Sequence, residues 1–138
     1  MKKQKYYIGI DTGVITGYAI YEPATRSLGV YSDQIHYVME IVKDLWKMQS
    51  IIKVRVEDPR LAVYGRKFDQ HRLRGAGSVM RDAKIWEDFL KDQGIPYEMV
   101  RPQKALTKMS AQKFKQFTGY VGRTNEHGRD AAMLVYGY

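Results

Sequence analysis

The chain has 138 residues, with 23 Lys and Arg against 15 Asp and Glu and a formal net charge of +8 at pH 7. This length predicts one domain, residues 1–138, and the absence of cysteine excludes a disulfide framework and a thiolate zinc site. The apolar runs are too short for a membrane span, and no apolar signal core follows the basic N-terminus. We therefore expect a cytoplasmic protein without a membrane partner. The positive charge favours a polyanion as its binding partner.

Apolar patterning in the first half of the chain predicts four strands and one helix. Residues 5–10 are typical of a buried strand, and residues 17–21, after a glycine-bracketed turn, are typical of its hairpin partner. A third strand is expected at residues 28–31. Residues 35–49 place apolar side chains on one helical face, and a fourth strand is expected at Ile51–Glu57.

The second half alternates between helices and one strand. Residues 59–77 are basic, aromatic and without clear periodicity, which indicates a loop or a loose helix start. A helix is predicted at 78–91, a fifth strand at Tyr97–Val100, a helix after a Ser110 cap, and a last helix over 125–136. Three strands in a meander, followed by strand–helix alternation, predict an α/β fold: a mixed sheet with helices on both faces.

Four side chains able to bind metal stand at the ends of these elements. Asp11 ends the first strand, Glu57 ends the fourth, and His127 and Asp130 share one face near the start of the last helix. The ends of neighbouring parallel strands meet in the crevice where α/β sheets bind ligands. Carboxylates and an imidazole in a basic protein predict divalent metal ions that act on a phosphodiester, with a metal pair about 3.5–4 Å apart.

Each of these residues also has an ordinary structural interpretation. Asp11 is compatible with a turn, Glu57 with a solvated strand end, and His127 with a helix cap or a surface position. Asp130 would complement the dipole of the last helix, and Asp58 is a rival of Glu57. The order and spacing of the four residues together favour the metal site.

The same residues carry a family resemblance. Ile8-Gly-Ile-Asp-Thr-Gly13, Gly17-Tyr-Ala-Ile20, Val54-Arg-Val-Glu57 and His127-Gly-Arg-Asp-Ala131 occur in that order. The chain thereby resembles the RuvC-type Holliday junction resolvases, which belong to the ribonuclease H-like nucleases. The resemblance implies a ribonuclease H-like five-stranded mixed sheet, a homodimer, and nicking of branched DNA at four-way junctions with two Mg²⁺ or Mn²⁺ ions per active site.

The resemblance also implies roles for single residues. Asp11 and Glu57 match the first two catalytic acids, Asp130 matches the last, and His127 stands at a position that holds Asp or His in the family. Lys104 and Lys113 are the nearest matches to lysines beside the scissile phosphate, although solvated helix lysines are an equal alternative. The short C-terminus and the long basic loop after Glu57 resemble the phage or mobile-element branch.

The basic segment 60–74 is predicted to contact DNA, because its cations can hold phosphates and its aromatic rings can stack on unpaired bases. The alternative is a basic loop with its rings packed on the core. The predicted contact residues are Arg60, Arg66, Lys67, Phe68, Arg72 and Arg74.

Three other functions compete with junction nicking. A related nuclease would act on RNA–DNA hybrids or flap DNA, and a non-catalytic nucleic-acid binder would carry a vestigial site. A sugar kinase-like ATPase needs two lobes, for which 138 residues are too few, so no nucleotide cofactor is expected.

Overall fold

The protein is described by a computed structural model that covers residues 3–62, 70–102 and 109–138, with the backbone alone over 70–76. Five strands and four α-helices follow one another along these ranges. The strands are β1 (Tyr6–Asp11), β2 (Ile15–Glu22), β3 (Ser27–Gln34), β4 (Ile51–Glu57) and β5 (Tyr97–Val100). The helices are α1 (Ile35–Lys47), α2 (Gln70–Gln93), α3 (Ala111–Thr118) and α4 (Glu126–Met133), with a short 3₁₀ turn at Pro59–Leu61.

The strands form one five-stranded sheet in the order β3-β2-β1-β4-β5. The pairs β1–β2 and β2–β3 are antiparallel, as a meander requires, whereas β1–β4 and β4–β5 are parallel. Parallel neighbours need a crossover, and α1 and α2 supply the crossovers before β4 and β5. The predicted mixed sheet is confirmed.

Side-chain alternation gives each face of the sheet its own core. Ile8 and Ile10 of β1 pack toward α1 and α2, where Trp86 is fully buried. The opposite face packs Ala19 of β2 against α4, and Phe114 of α3 is buried in the same cluster. Helices therefore cover both faces, as predicted.

The largest differences from the expected helix boundaries are at the start of α2 and at the end of α4. Helix α2 begins at Gln70, not at residue 78, and runs for 24 residues. Glycine costs a helix only about 1 kcal/mol relative to alanine, so buried Trp86 and Leu90 further along can hold a helix whose start includes glycines. Helix α4 ends at Met133, before the expected residue 136.

No helix in the described ranges is both long and apolar enough to cross a bilayer.

Candidate active site

Asp11 and Glu57 lie side by side at one edge of the sheet. They are the last residues of β1 and β4, and they are direct partners in the parallel register. Partners in this register project from the same face, so both carboxylates lie on the face covered by α4. This edge, at the carboxyl ends of the parallel strands, is where α/β sheets commonly bind ligands.

Two glycines allow α4 to lie directly on the sheet at this edge. A Cβ on Gly9 would overlap the main-chain carbonyl of Ala131, and a Cβ on Gly17 would overlap that of His127. Gly17 lies inside β2, opposite Asp11. Its role is close approach of two backbones, which brings the first turn of α4 beside Asp11.

The start of α4 is fixed by its N-cap. The Asn125 side-chain oxygen accepts a hydrogen bond of 2.8 Å from the backbone N–H of Gly128, and its amide donates to the Ser32 hydroxyl on β3. His127 Nδ1 lies 3.1 Å from Asp11 Oδ2. The Asp11 side chain is 16% exposed and that of His127 is 52% exposed, so the carboxylate lies inside the site and the imidazole forms its outer wall.

Burial raises the pKa of all three acids of the site, and a neighbouring carboxylate adds to each shift. Burial, together with the charges of Asp11 and Asp130, raises the pKa of Glu57 to about 7. Burial, with the charges of Asp11 and Glu126, raises the pKa of Asp130 to about 7. Burial also raises the pKa of Asp11, although its hydrogen bond with His127 opposes the shift. The site thus concentrates negative charge, and a cation bound there would relieve the repulsion.

The donor chemistry of the site fits Mg²⁺ or Mn²⁺. As they stand, the described residues include no three His, Cys, Asp or Glu side chains that already share one cation position. Oxygen donors from Asp11, Glu57 and Asp130 nevertheless suit these hard ions, and His127 adds an imidazole. Mg²⁺ retains several waters, so two or three protein ligands for each ion are enough.

Asp58 has a different environment from its neighbour Glu57. It is 1% exposed, accepts a bond of 2.9 Å from the backbone N–H of Arg60, and lies 2.8 Å from the Arg60 guanidinium. Arg60 also lies 3.0 Å from Glu87 of α2. Asp58 therefore anchors the turn after β4, and any contact of Arg60 with DNA would compete with two ion pairs.

Most of the other predicted DNA contacts cannot be placed around this site. Arg66, Lys67, Phe68 and Lys104 lie outside the described residues. Arg72 and Arg74 fall in the first turns of α2, where only the backbone is described. Lys113 is exposed in the first turn of α3, and its backbone N–H donates to the Ser110 hydroxyl at 3.2 Å.

Arg129 is a residue of this region that the sequence did not single out. Its Nε donates to the Met109 carbonyl at 2.9 Å, and its Nη1 donates to the carbonyl and hydroxyl of Thr124 at 3.2 and 3.0 Å. It thereby joins the start of α4 to the segment before α3. An arginine between His127 and Asp130 carries no pattern that would have predicted these partners.

The sheet order and the helices on both faces define a ribonuclease H-like α/β fold. No family model and no curated protein sequence matches the chain. Among solved structures, the chain is similar to RuvC of T. thermophilus in complex with Holliday junction substrate, with a TM-score of 0.63 and 15% identity. The match covers 96% of this chain and 90% of that one, and at this identity it establishes the fold.

Proposed function

We propose that the protein is a metal-dependent endonuclease that nicks four-way DNA junctions. The observation that carries the proposal is the position of Asp11, which is the register partner of Glu57 and lies 3.1 Å from His127, and whose charge contributes to the raised pKa of Glu57 and of Asp130. The fold shared with a protein solved on Holliday junction substrate supports the choice of substrate. The net charge of +8 supports a polyanionic ligand.

Two Mg²⁺ or Mn²⁺ ions, when bound, would supply Lewis-acid chemistry for hydrolysis of a phosphodiester. Asp11 and Glu57 would hold them from rigid strand ends, and Asp130 would complete the set from α4. His127 would serve as a ligand or orient Asp11 through their 3.1 Å contact. The half-exposed position of His127 leaves the outer side of the site open to a DNA strand.

A homodimer would match the symmetry of the substrate. A four-way junction offers two equivalent strands, so two sites related by a two-fold axis can nick both. The segment 60–74 of each protomer would contribute phosphate contacts near the branch point. Membership of the phage or mobile-element branch stays a prediction from the sequence.

The test compares substrates at equal concentration with Mg²⁺: a four-way junction, a flap, an RNA–DNA hybrid and a linear duplex. We expect paired, symmetric nicks in the junction alone. Asp11→Asn should abolish cutting while junction binding remains, because an amide is a poor Mg²⁺ ligand of similar shape. Asp44→Asn, an exposed change on α1, is the matched control and should cut normally.

Each other outcome supports a different function. Cutting of the hybrid or the flap in preference to the junction would favour the related nuclease activities. Tight junction binding without cutting in Mg²⁺ or Mn²⁺ would favour a non-catalytic binder. Normal cutting by Asp11→Asn would show that the active site lies elsewhere.

A further inference from the structure

A second concave site lies beside the candidate active site, on the same face of the sheet. It is a groove of about 530 Å³ between α3 and the segment 119–124, which leads into α4. Phe114 and Tyr120 line it with aromatic surface, and Lys115 and Arg123 line it with positive charge. None of the residues described above as candidate metal ligands belongs to this α3 groove.

The α3 groove carries positive charge that its surroundings do not neutralise. Lys115 and Arg123 are both exposed, and none of the described residues that line the groove is acidic. No ion pair joins either cation to another side chain in the part of the chain whose side chains the structure describes. Two free cations along one groove suit successive phosphates of a polyanion better than a single small anion.

The shape of the α3 groove depends on a close aromatic contact. The Tyr120 ring meets Phe114 edge-on, with centroids 6.2 Å apart, and Phe114 is buried. The same side chain lies against Gly122, where a Cβ would come within 2.8 to 2.9 Å of two ring carbons and the hydroxyl oxygen of Tyr120. Glycine at this position therefore lets the ring pack on the backbone, and the partly exposed ring offers a flat surface to a sugar or a base.

The α3 groove is also fixed relative to the candidate active site. Thr124 lines the groove and precedes the N-cap of α4 by one residue. Arg129 of α4 binds Thr124 and, through Met109, the segment before α3. A DNA strand that crosses the candidate ligands on α4 would therefore meet the positive charges of Lys115 and Arg123 beyond the start of this helix.

We propose that the α3 groove binds the phosphodiester backbone of the DNA strand as it leaves the active site. The inference rests on the proposed function and adds to it a binding path through Lys115 and Arg123. It differs from the basic segment 60–74, which follows β4 in the chain.

The test measures affinity for a four-way junction by fluorescence anisotropy over a range of salt concentrations. In Lys115→Ala/Arg123→Ala, the slope of log affinity against log salt should flatten by about two, since each lost phosphate contact contributes about 0.9. The matched control is Lys47→Ala/Lys91→Ala, with two exposed cations at the last turns of α1 and α2, on the other face of the sheet. It loses the same charge and should keep the wild-type slope.

Two further variants keep the test decisive. Lys115→Arg/Arg123→Lys retains both charges and should keep the wild-type slope. Lys115→Gln/Arg123→Gln removes both charges but preserves most of the side-chain bulk, so it replaces the alanine pair if that pair unfolds. Its slope should flatten by the same amount as expected for the alanine pair. An unchanged slope in the glutamine variant, with normal junction binding by wild type, overturns the groove inference and leaves the proposed function intact. Absence of junction binding by wild type overturns both, whereas binding without cutting removes only the nuclease activity.

Discussion

Replacing Glu57 by glutamine should stabilise the metal-free protein while abolishing its activity. Glu57 is half-buried next to Asp11 and Asp130, and these surroundings raise its pKa to about 7 from an ordinary 4.5. The folded state therefore holds the proton more tightly than the unfolded chain. The free energy of unfolding consequently falls as the pH rises from about 4.5 to about 7, and above that range the full destabilisation by ionised Glu57 is present.

The size of this cost follows from the two pKa values. A rise from 4.5 to about 7 corresponds to roughly 3 kcal/mol, at ~1.36 kcal/mol per pH unit. Water reaches this open site and screens the charges, so we expect Glu57→Gln to recover about 1–2 kcal/mol at pH 8. For a chain of 138 residues, that gain raises the unfolding temperature by about 3–8 °C. At pH 4 the carboxyl is protonated in both states, and the gain should vanish.

The assay is thermal unfolding followed by circular dichroism, in EDTA at several pH values from 4 to 8. Glu40→Gln, an exposed change on α1, is the control and should leave the unfolding temperature unchanged at every pH. Added Mg²⁺ should stabilise wild type more than Glu57→Gln, because a ligand that binds the folded state stabilises it. A variant that gains no stability between pH 4 and 8, or gains it equally at both, would refute the repulsion argument.

Three further results are expected. Gly17→Ala should destabilise the protein by about 1–3 kcal/mol in urea unfolding and slow cutting, because the new Cβ would overlap the His127 carbonyl. The control is Gly77→Ala on helix α2, where a Cβ would meet no atom within 4 Å, and it should be neutral or stabilising. His127→Asp should retain cutting in single-turnover assays, since a carboxylate can take the same ligand position, and a folded but inactive variant would contradict the ligand role. At limiting Mg²⁺ the cutting rate should rise as the pH passes through about 7, where Glu57 and Asp130 lose their protons. At saturating Mg²⁺ the rate should rise less steeply with pH. A rate that does not change with pH at limiting Mg²⁺ would count against these two acids as ligands.

Local patterns in the sequence predicted the strands and singled out the candidate ligands. The bounds of β4 and β5 agree with those predicted from the sequence. The position of Glu57 at the end of β4 therefore follows from the bounds of that strand alone. The Ser110 and Asn125 caps were also predictable, because each accepts its hydrogen bond from a backbone N–H only three residues ahead. Strand alternation and helix capping act over a few residues, so a single sequence reveals them.

Only the tertiary structure decided how these elements meet. Asp11 and His127 are 116 positions apart, and no local pattern states that the backbones at Gly17 and His127 would touch. The same holds for Arg60, whose partner Glu87 lies 27 positions away on α2. Propensity and periodicity describe each element by itself, whereas these contacts depend on the distance between two elements, which packing on a shared sheet sets.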